Sequence, residues 1–161
     1  MSDETPAEVG QKAPLFTLSA YPPGEVSLES LVGQKNVVLY FYPKDGTPGC
    51  TREACGFRDL AREFEKADTV VLGVSLDPVE SHEKFALDNR VPFPLLSDAD
   101  AAVSKTYGVY REKSLYGKPY WGIERTTFVI DKRGIIRRVW RRVKVEMHAR
   151  EILGFIRSEI T

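Results

Sequence analysis

The chain reads as an α/β fold in which a central mixed sheet is flanked by helices, with a short β extension at its N-terminal side. Three observations carry that reading. Asn36-Val37-Val38-Leu39-Tyr40-Phe41-Tyr42 is an unbroken β-branched and aromatic run closed by Pro43, the pattern of a strand buried on both faces. Thr69 to Ser75 (TVVLGVS) repeats the signal. Between them Ala54, Phe57, Leu60, Ala61 and Phe64 recur at helical spacing, which makes one helix and completes a β-α-β unit.

The remaining elements follow in order. Residues 1 to 13 read as a loose tail, the first eight of them flexible. Leu15 to Leu18 and Glu25 to Leu28 flank the turn Tyr21-Pro22-Pro23-Gly24 like two short paired strands. Asp77-Pro78-Val79-Glu80 opens a second helix, with Asp77 as N-cap, Pro78 at the first position and Glu80 completing a capping-box pattern; it runs to about Asn89. After Val91 to Leu96, a short helix starts near Asp98 or Ala99 and ends at Tyr107-Gly108, with the glycine as C-terminal cap. Arg125 to Ile130 and Ile135 to Val143 are two strands of an antiparallel hairpin around Asp131-Lys132-Arg133-Gly134. Met147, Ile152, Leu153, Ile156 and Ile160 place an apolar stripe on a closing helix. The order β-α-β-α, then β-hairpin, then α is that of a thioredoxin-type sandwich, here as one domain over residues 1 to 161.

Composition narrows the function. A chain of 161 residues with 42% apolar side chains and 23 basic against 23 acidic groups has the make-up of an ordinary globular domain. Neither nucleic acid nor an acidic membrane is suggested. The basic stretch IRRVWRRVKV, residues 136 to 145, alternates charge with Val and Trp at period two, as a half-exposed edge strand does. The apolar runs are far short of a membrane span, and the opening MSDETPAEVGQKAP lacks the basic-then-apolar order of a signal peptide. Two cysteines are too few for a secreted disulfide scaffold, so a reducing, cytoplasmic setting is expected.

Both cysteines lie in the stretch YFYPKDGTPGCTREAC. Thr47-Pro48-Gly49-Cys50 fits a helix start, with Thr47 as N-cap, Pro48 first and Cys50 third. Sulfur in a first helical turn sits where the peptide dipoles favour negative charge, which makes Cys50 a candidate thiolate nucleophile. Its bland alternative is a small buried hydrophobe. Cys55 follows after five residues, about 140° around an ideal helix and about 7.5 Å along it, so the Cα atoms lie about 8.5 Å apart. That exceeds the ~7 Å at which a disulfide closes without backbone movement. Joining the two therefore demands that the helix start unwind. Gly49 and Gly56 loosen the segment, although Gly56 fits close packing equally well. A zinc site needs about four ligands, and only His82 and His148 accompany the cysteines, each read as an ordinary helix-surface residue. The C-x-x-C of a thioredoxin-like oxidoreductase is absent. A non-catalytic binding protein of the same fold is the competing class.

Pro43-Lys44-Asp45-Gly46-Thr47-Pro48-Gly49-Cys50-Thr51 matches the P-x3-T-x2-C motif of the peroxiredoxins. YFYPKDGTPGCTREACGFRD as a whole resembles their bacterioferritin-comigratory-protein, or peroxiredoxin Q, subfamily, and the likeness runs from Val9 through Trp121 to Asp131 and on to the Val143-Lys144-Val145 region. Gly46 stands where the family often has Asp or Asn. The resemblance implies that Cys50 is the peroxidatic cysteine, oxidised to a sulfenic acid by a peroxide, and that Cys55 resolves it as an intramolecular disulfide. It implies that Thr47 hydrogen-bonds thiolate or peroxide, Pro43 screens the site from water, and Arg125 stabilises the thiolate. Glu53, one turn after Cys50, is then placed to orient Arg125, its alternative being a first-turn carboxylate favoured by the dipole. A monomer recycled by thioredoxin or a similar dithiol, with no metal or organic cofactor, is expected.

Overall fold

The computed structural model describes residues 7 to 160. Strands β1 (Thr17–Tyr21) and β2 (Gly24–Ser27) form the anticipated hairpin, followed by the single turn α1 (Leu28–Leu31). Next come β3 (Asn36–Phe41), α2 (Pro48–Asp59), α3 (Ala61–Lys66), β4 (Thr69–Ser75) and α4 (Val79–Asn89). β5 (Leu95–Ser97), α5 (Ala102–Thr106), β6 (Tyr110–Leu115), β7 (Lys118–Ile123), β8 (Thr126–Ile130), β9 (Ile136–Arg141) and α6 (His148–Glu159) complete the chain. Seven strands make one mixed sheet in the order β2-β1-β5-β4-β3-β8-β9. β3 runs parallel to β4 and antiparallel to β8, so the strand that carries the cysteine segment is central.

All six residues of β3 are buried, as a strand covered on both faces must be. Its alternate side chains feed two cores. Val37, Leu39 and Phe41 pack with Leu72, Tyr107, Phe128 and Ile130 on one face. Val38, Tyr40 and Tyr42 pack on the other with Cys50, Ala54 and Phe57 of α2, Phe85 of α4, and Ile152 and Ile156 of α6. Gly73 of β4 makes room for this second layer. A Cβ there would lie 2.9 Å from Tyr40 Cζ and Oη and from Leu95 Cδ2, contacts no side chain tolerates.

Several sequence-based expectations change. The helix anticipated across Ala54 to Phe64 is two helices, because the backbone leaves helical geometry at Leu60 (φ −109°, ψ 12°). Both pieces keep their apolar residues on the sheet, with the Phe57 and Phe64 rings 5.9 Å apart, so the spacing alone did not reveal the break. The tail is docked where it is described. Ala7 and Ala13 are buried, and Gly10 N–H donates to Ile136 O (2.8 Å), Ile136 N–H to Gln11 O (2.9 Å) and Ala13 N–H to Gly134 O (2.8 Å). These bonds cover the outer edge of β9 and need no side-chain pattern, which is why a polar sequence concealed them. The rest of the tail, residues 1 to 6, lies outside the described residues. The β6–β7 hairpin, a separate two-stranded sheet, was not foreseen either. It is largely exposed, so it shows no apolar alternation, and it turns at Tyr116-Gly117 with positive φ at both residues.

The histidines are the largest correction. His82 and His148 are both buried rather than on helix surfaces. His148 packs edge-on to Phe57 and Trp140, with ring centroids 6.1 and 5.8 Å away, and its Nε2 lies 2.9 Å from Thr127 Oγ1. Burial lowers its pKa from 6.5 to about 4, with Glu151 opposing and Arg125 assisting. The native ring is therefore neutral where the unfolded ring binds a proton, so its contribution to stability falls as pH drops from 6.5 to about 4. The effect integrates to about 3 kcal/mol. Chemical denaturation of wild type and His148→Gln across this range should show wild type losing stability faster on acidification, and parallel curves would refute the assignment. The difference between the two proteins is the relevant quantity because Glu53, described below, contributes with the opposite sign.

Candidate active site

β3 ends at Phe41, and residues 42 to 47 carry the chain to the start of α2. Pro43 is half-buried in this loop and Gly46 occupies the left-handed region (φ 80°), which accounts for glycine at that position. Thr47 has the extended backbone of an N-cap and Pro48 opens the helix, as the sequence indicates. The Thr47 side chain does not cap, however. Its hydroxyl donates to the Lys44 carbonyl at 3.0 Å, which leaves the oxygen as an acceptor toward other groups. Asp77 likewise does not cap α4, whose N-cap is Pro78. Its Oδ2 instead accepts from Ser75 Oγ (2.7 Å) and from the Asp45 N–H (2.8 Å).

Cys50 lies in the first turn of α2 and is 1% exposed. Arg125, on the residue preceding β8, reaches it across the sheet. Its Nη2 donates to Cys50 Sγ at 3.3 Å, and its Nη1 donates to Glu53 Oε1 at 2.6 Å. Glu53 and Cys50 are three residues apart, so they share a helix face and one guanidinium fork spans both. Gly49 permits the approach. A Cβ at that position would lie 3.2 Å from Arg125 Nη2, so this glycine marks close contact as well as loosening the helix. A Cβ at Gly56 would sit 3.6 Å from Ala149 Cβ, an ordinary packing distance. Cys55 is half-buried in the same unbroken helix, and both thiols are free.

The electrostatics are those of a buried cluster. Burial pushes Glu53 up to about 7 against the pull of Arg125, and its second oxygen has no hydrogen-bond partner among the described residues. Between pH 4.5 and about 7 the native state therefore binds more protons at Glu53 than the unfolded chain, and its contribution to stability declines as pH rises through that window. Arg125 stays charged, since the negative Glu53 and Cys50 outweigh the lowering effect of burial. Burial, then the negative Glu53 and Cys50, raise the Tyr40 hydroxyl well above its ordinary value. Lys113 of β6 is a second cation facing this cluster. Burial and Arg125 lower its pKa while Glu124 and Cys50 raise it, and its ammonium donates to the Ile123 carbonyl. A lysine in an exposed hairpin gave no sequence signal of this placement.

Asp45, in the middle of the loop, anchors a second polar cluster. Its Oδ1 accepts from Tyr42 Oη (2.5 Å), and its Oδ2 accepts from Ser81 Oγ (2.8 Å) and lies 2.7 Å from His82 Nδ1. Burial raises the pKa of this carboxyl, but the hydrogen bonds from His82, Tyr42 and Ser81 outweigh it and hold the group below the usual range. Asp45, Asp77 and His82 bring possible metal-ligand atoms within 4.8 Å of one another. Their proximity is already accounted for by the hydrogen bonds just described, and neither cysteine takes part.

Cysteine at a helix start, an arginine delivered from a distant strand and the P-x3-T-x2-C spacing agree with the comparison to known proteins. The AhpC/TSA family model matches residues 9 to 139. This chain belongs to the AhpC/TSA family. Among its curated relatives are a putative peroxiredoxin bcp of Coxiella burnetii, 54% identical over 91% of this chain and 97% of that protein, and peroxiredoxin Bcp of Bacillus subtilis, 47% identical over 94% and 96%. The structure of Xanthomonas campestris peroxiredoxin Q superposes with a TM-score of 0.86 at 41% identity, covering 91% of this chain and 92% of that one. A second Xanthomonas campestris structure, of the bacterioferritin comigratory protein, was solved as trapped intermediate and ligand complexes bearing on its alkyl peroxide reduction activity. The family's thioredoxin-like architecture, with its central mixed sheet between helices, is the one described above. No helix among the described residues is long and apolar enough to cross a membrane.

Proposed function

We propose that the protein is a thiol peroxidase that reduces hydrogen peroxide and organic hydroperoxides at Cys50. The observation that carries this reading is the 3.3 Å contact between Arg125 Nη2 and a sulfur in the first turn of α2. The cation and the helix N-terminus both favour negative charge on that sulfur. The thiolate attacks the nearer peroxide oxygen, forming an S–O bond as the O–O bond breaks. The departing hydroxide or alkoxide takes up a proton and leaves as water or alcohol. Arg125 is placed to stabilise the charge on that oxygen, and Thr47, its proton committed to Lys44, to accept a hydrogen bond from the peroxide O–H. Pro43 limits water at the loop, and Glu53 fixes the guanidinium. A relative with alkyl peroxide reduction activity supports the substrate class.

The sulfenic acid then condenses with the Cys55 thiol, forming the disulfide and releasing water. A thioredoxin-like dithiol reduces that disulfide by exchange and restores both thiols. One chain carries both cysteines, so the proposed cycle needs no second subunit, and we assign it to a monomer in a reducing, cytoplasmic setting. Because the two lie in one helix about 8.5 Å apart, residues 48 to 55 unwind in the oxidised form. Cys55→Ser tests the assignment of the second cysteine. This variant should consume one equivalent of peroxide and then stall, accumulating sulfinic acid under excess peroxide, as mass spectrometry of the intact protein would show. Sustained thioredoxin-coupled turnover in Cys55→Ser would remove Cys55 from the cycle.

A further inference from the structure

The loop that precedes the cysteine helix is held with more force than a connection of its length requires. Asp45 ties it at once to the segment that follows β4 and to α4. Its backbone N–H donates to Asp77 Oδ2 (2.8 Å), which also accepts from Ser75 Oγ (2.7 Å) at the end of β4. Its carboxylate takes hydrogen bonds from Tyr42, from Ser81 and from His82 of α4. His82 is completely buried, and its other nitrogen, Nε2, lies 2.9 Å from the Leu96 carbonyl of β5. Both ring nitrogens therefore face oxygen, the Asp45 carboxylate on one side and the Leu96 carbonyl on the other. The contact with the Asp45 carboxylate, held below the usual range, is a buried hydrogen bond to a charged group, the strong class.

This cluster stands two residues from Thr47, the N-cap, and five from Cys50. Within the loop, the Lys44 carbonyl beside Asp45 receives the Thr47 hydroxyl (3.0 Å), so the position of Asp45 also governs that of Thr47. Any unwinding of the first turn of α2 has to proceed against an entry point fixed to the sheet.

We propose that Asp45 and His82 clamp the entry to the cysteine helix, and that by resisting its unwinding they set how Cys50 sulfenic acid divides between disulfide formation and further oxidation. The proposal rests on the peroxidase reading for its chemistry. In one branch the Cys55 sulfur displaces the sulfenic hydroxyl, an S–S bond forms and water leaves. In the other, the sulfenic sulfur attacks a second peroxide, gains a second S–O bond as the O–O bond breaks, and becomes a sulfinic acid with release of water or alcohol. The first branch requires the helix to open, whereas the second proceeds in the closed form. A tighter clamp thus favours the sulfinic acid. Both residues are positioning residues, since neither touches the reacting sulfur.

Asp45→Asn and His82→Gln test the clamp in the full-length protein through two readouts. Amide exchange of residues 48 to 55 in the reduced protein should accelerate roughly tenfold or more, the equivalent of one charge-assisted hydrogen bond, while β3 and β4 amides keep wild-type protection. Under repeated peroxide turnover, the share of chains reaching sulfinic acid should fall several-fold. A purely structural role would accelerate exchange throughout the sheet, and that uniform result would overturn the proposal. So would unchanged exchange at residues 48 to 55, or an unchanged sulfinic share. Should neither variant fold, Ser81→Ala removes a single hydrogen bond to Asp45 and is judged by the same two criteria. The exchange measurement uses no peroxide. If wild type gives no sulfenic acid with a trapping reagent, the peroxidase reading fails while the clamp is still decided by exchange.

Discussion

Peroxide consumption by Cys50→Ser is expected to fall to the rate of buffer alone. The substitution keeps the size and place of the side chain but exchanges an ionisable thiol for a hydroxyl that does not ionise in water's accessible range. Arg125 Nη2 and the start of α2 then have no thiolate to stabilise, and the surrounding geometry loses its purpose. Cys55 cannot substitute. It lies in the second turn of the helix, further from the N-terminal N–H groups, and the Arg125 fork is aimed at position 50 and at Glu53. Direct assay of peroxide loss with thioredoxin and its reductase present decides the matter, and equal loss in wild type and Cys50→Ser would falsify the enzymatic reading.

Arg125→Met should lower kcat/KM for peroxide by about two to three orders of magnitude, the effect of removing one donor aimed at developing charge on oxygen. Two losses combine. The sulfur loses its nearest cation, and Glu53, already pushed up to about 7 by burial, loses the guanidinium that opposes its protonation. The variant should accordingly keep its fold, because Glu53 can become neutral instead of remaining a buried unpaired charge. Arg125→Lys should recover little, since an ammonium offers a point charge where the site uses a fork spanning Sγ and Oε1. Initial rates over a series of peroxide concentrations, with circular dichroism as the folding control, test both variants. A decrease of less than about fivefold in Arg125→Met would show that the guanidinium does not act on the transition state.

The parts of the molecule visible in the sequence are those encoded by neighbours along the chain. An unbroken apolar run from Val37 to Tyr42 has only one economical placement, in the interior of the sheet, and that is where β3 lies. Thr47-Pro48 marks a helix start through backbone restrictions that operate within two residues, and α2 begins at Pro48. Arg125 was accessible only through resemblance, because its partner Cys50 is 75 positions away and nothing local distinguishes it from a solvated strand end. Glu53 likewise stood between two readings until its 2.6 Å contact with Arg125 was seen.

The misread elements share one property, in that their environment comes from remote segments. A histidine on a helix looks the same in sequence whether it faces solvent or, like His82, the buried Asp45 carboxylate and the Leu96 carbonyl. Backbone pairing of residues 10 to 13 with β9 carries no side-chain signature. In the sequence Gly49 marks only a loosened helix start, and Gly73 is only one position in a strand run. Tyr40 and Leu95 exclude a side chain at Gly73, and Arg125 Nη2 comes within 3.2 Å of where a Cβ would stand at Gly49.

By itself, the amino-acid order determined the β-α-β framework, the family motif, and the placement of both thiols in one helix at a separation that a disulfide cannot span without movement. Tertiary structure alone decided which charges meet: a guanidinium between Cys50 and Glu53, and His82 beneath the loop at Asp45. The physical reason is one of range. Helix and strand preferences act over a few residues, whereas burial and pairing of charge depend on which distant side chains the completed sheet brings within about 3 Å of each other.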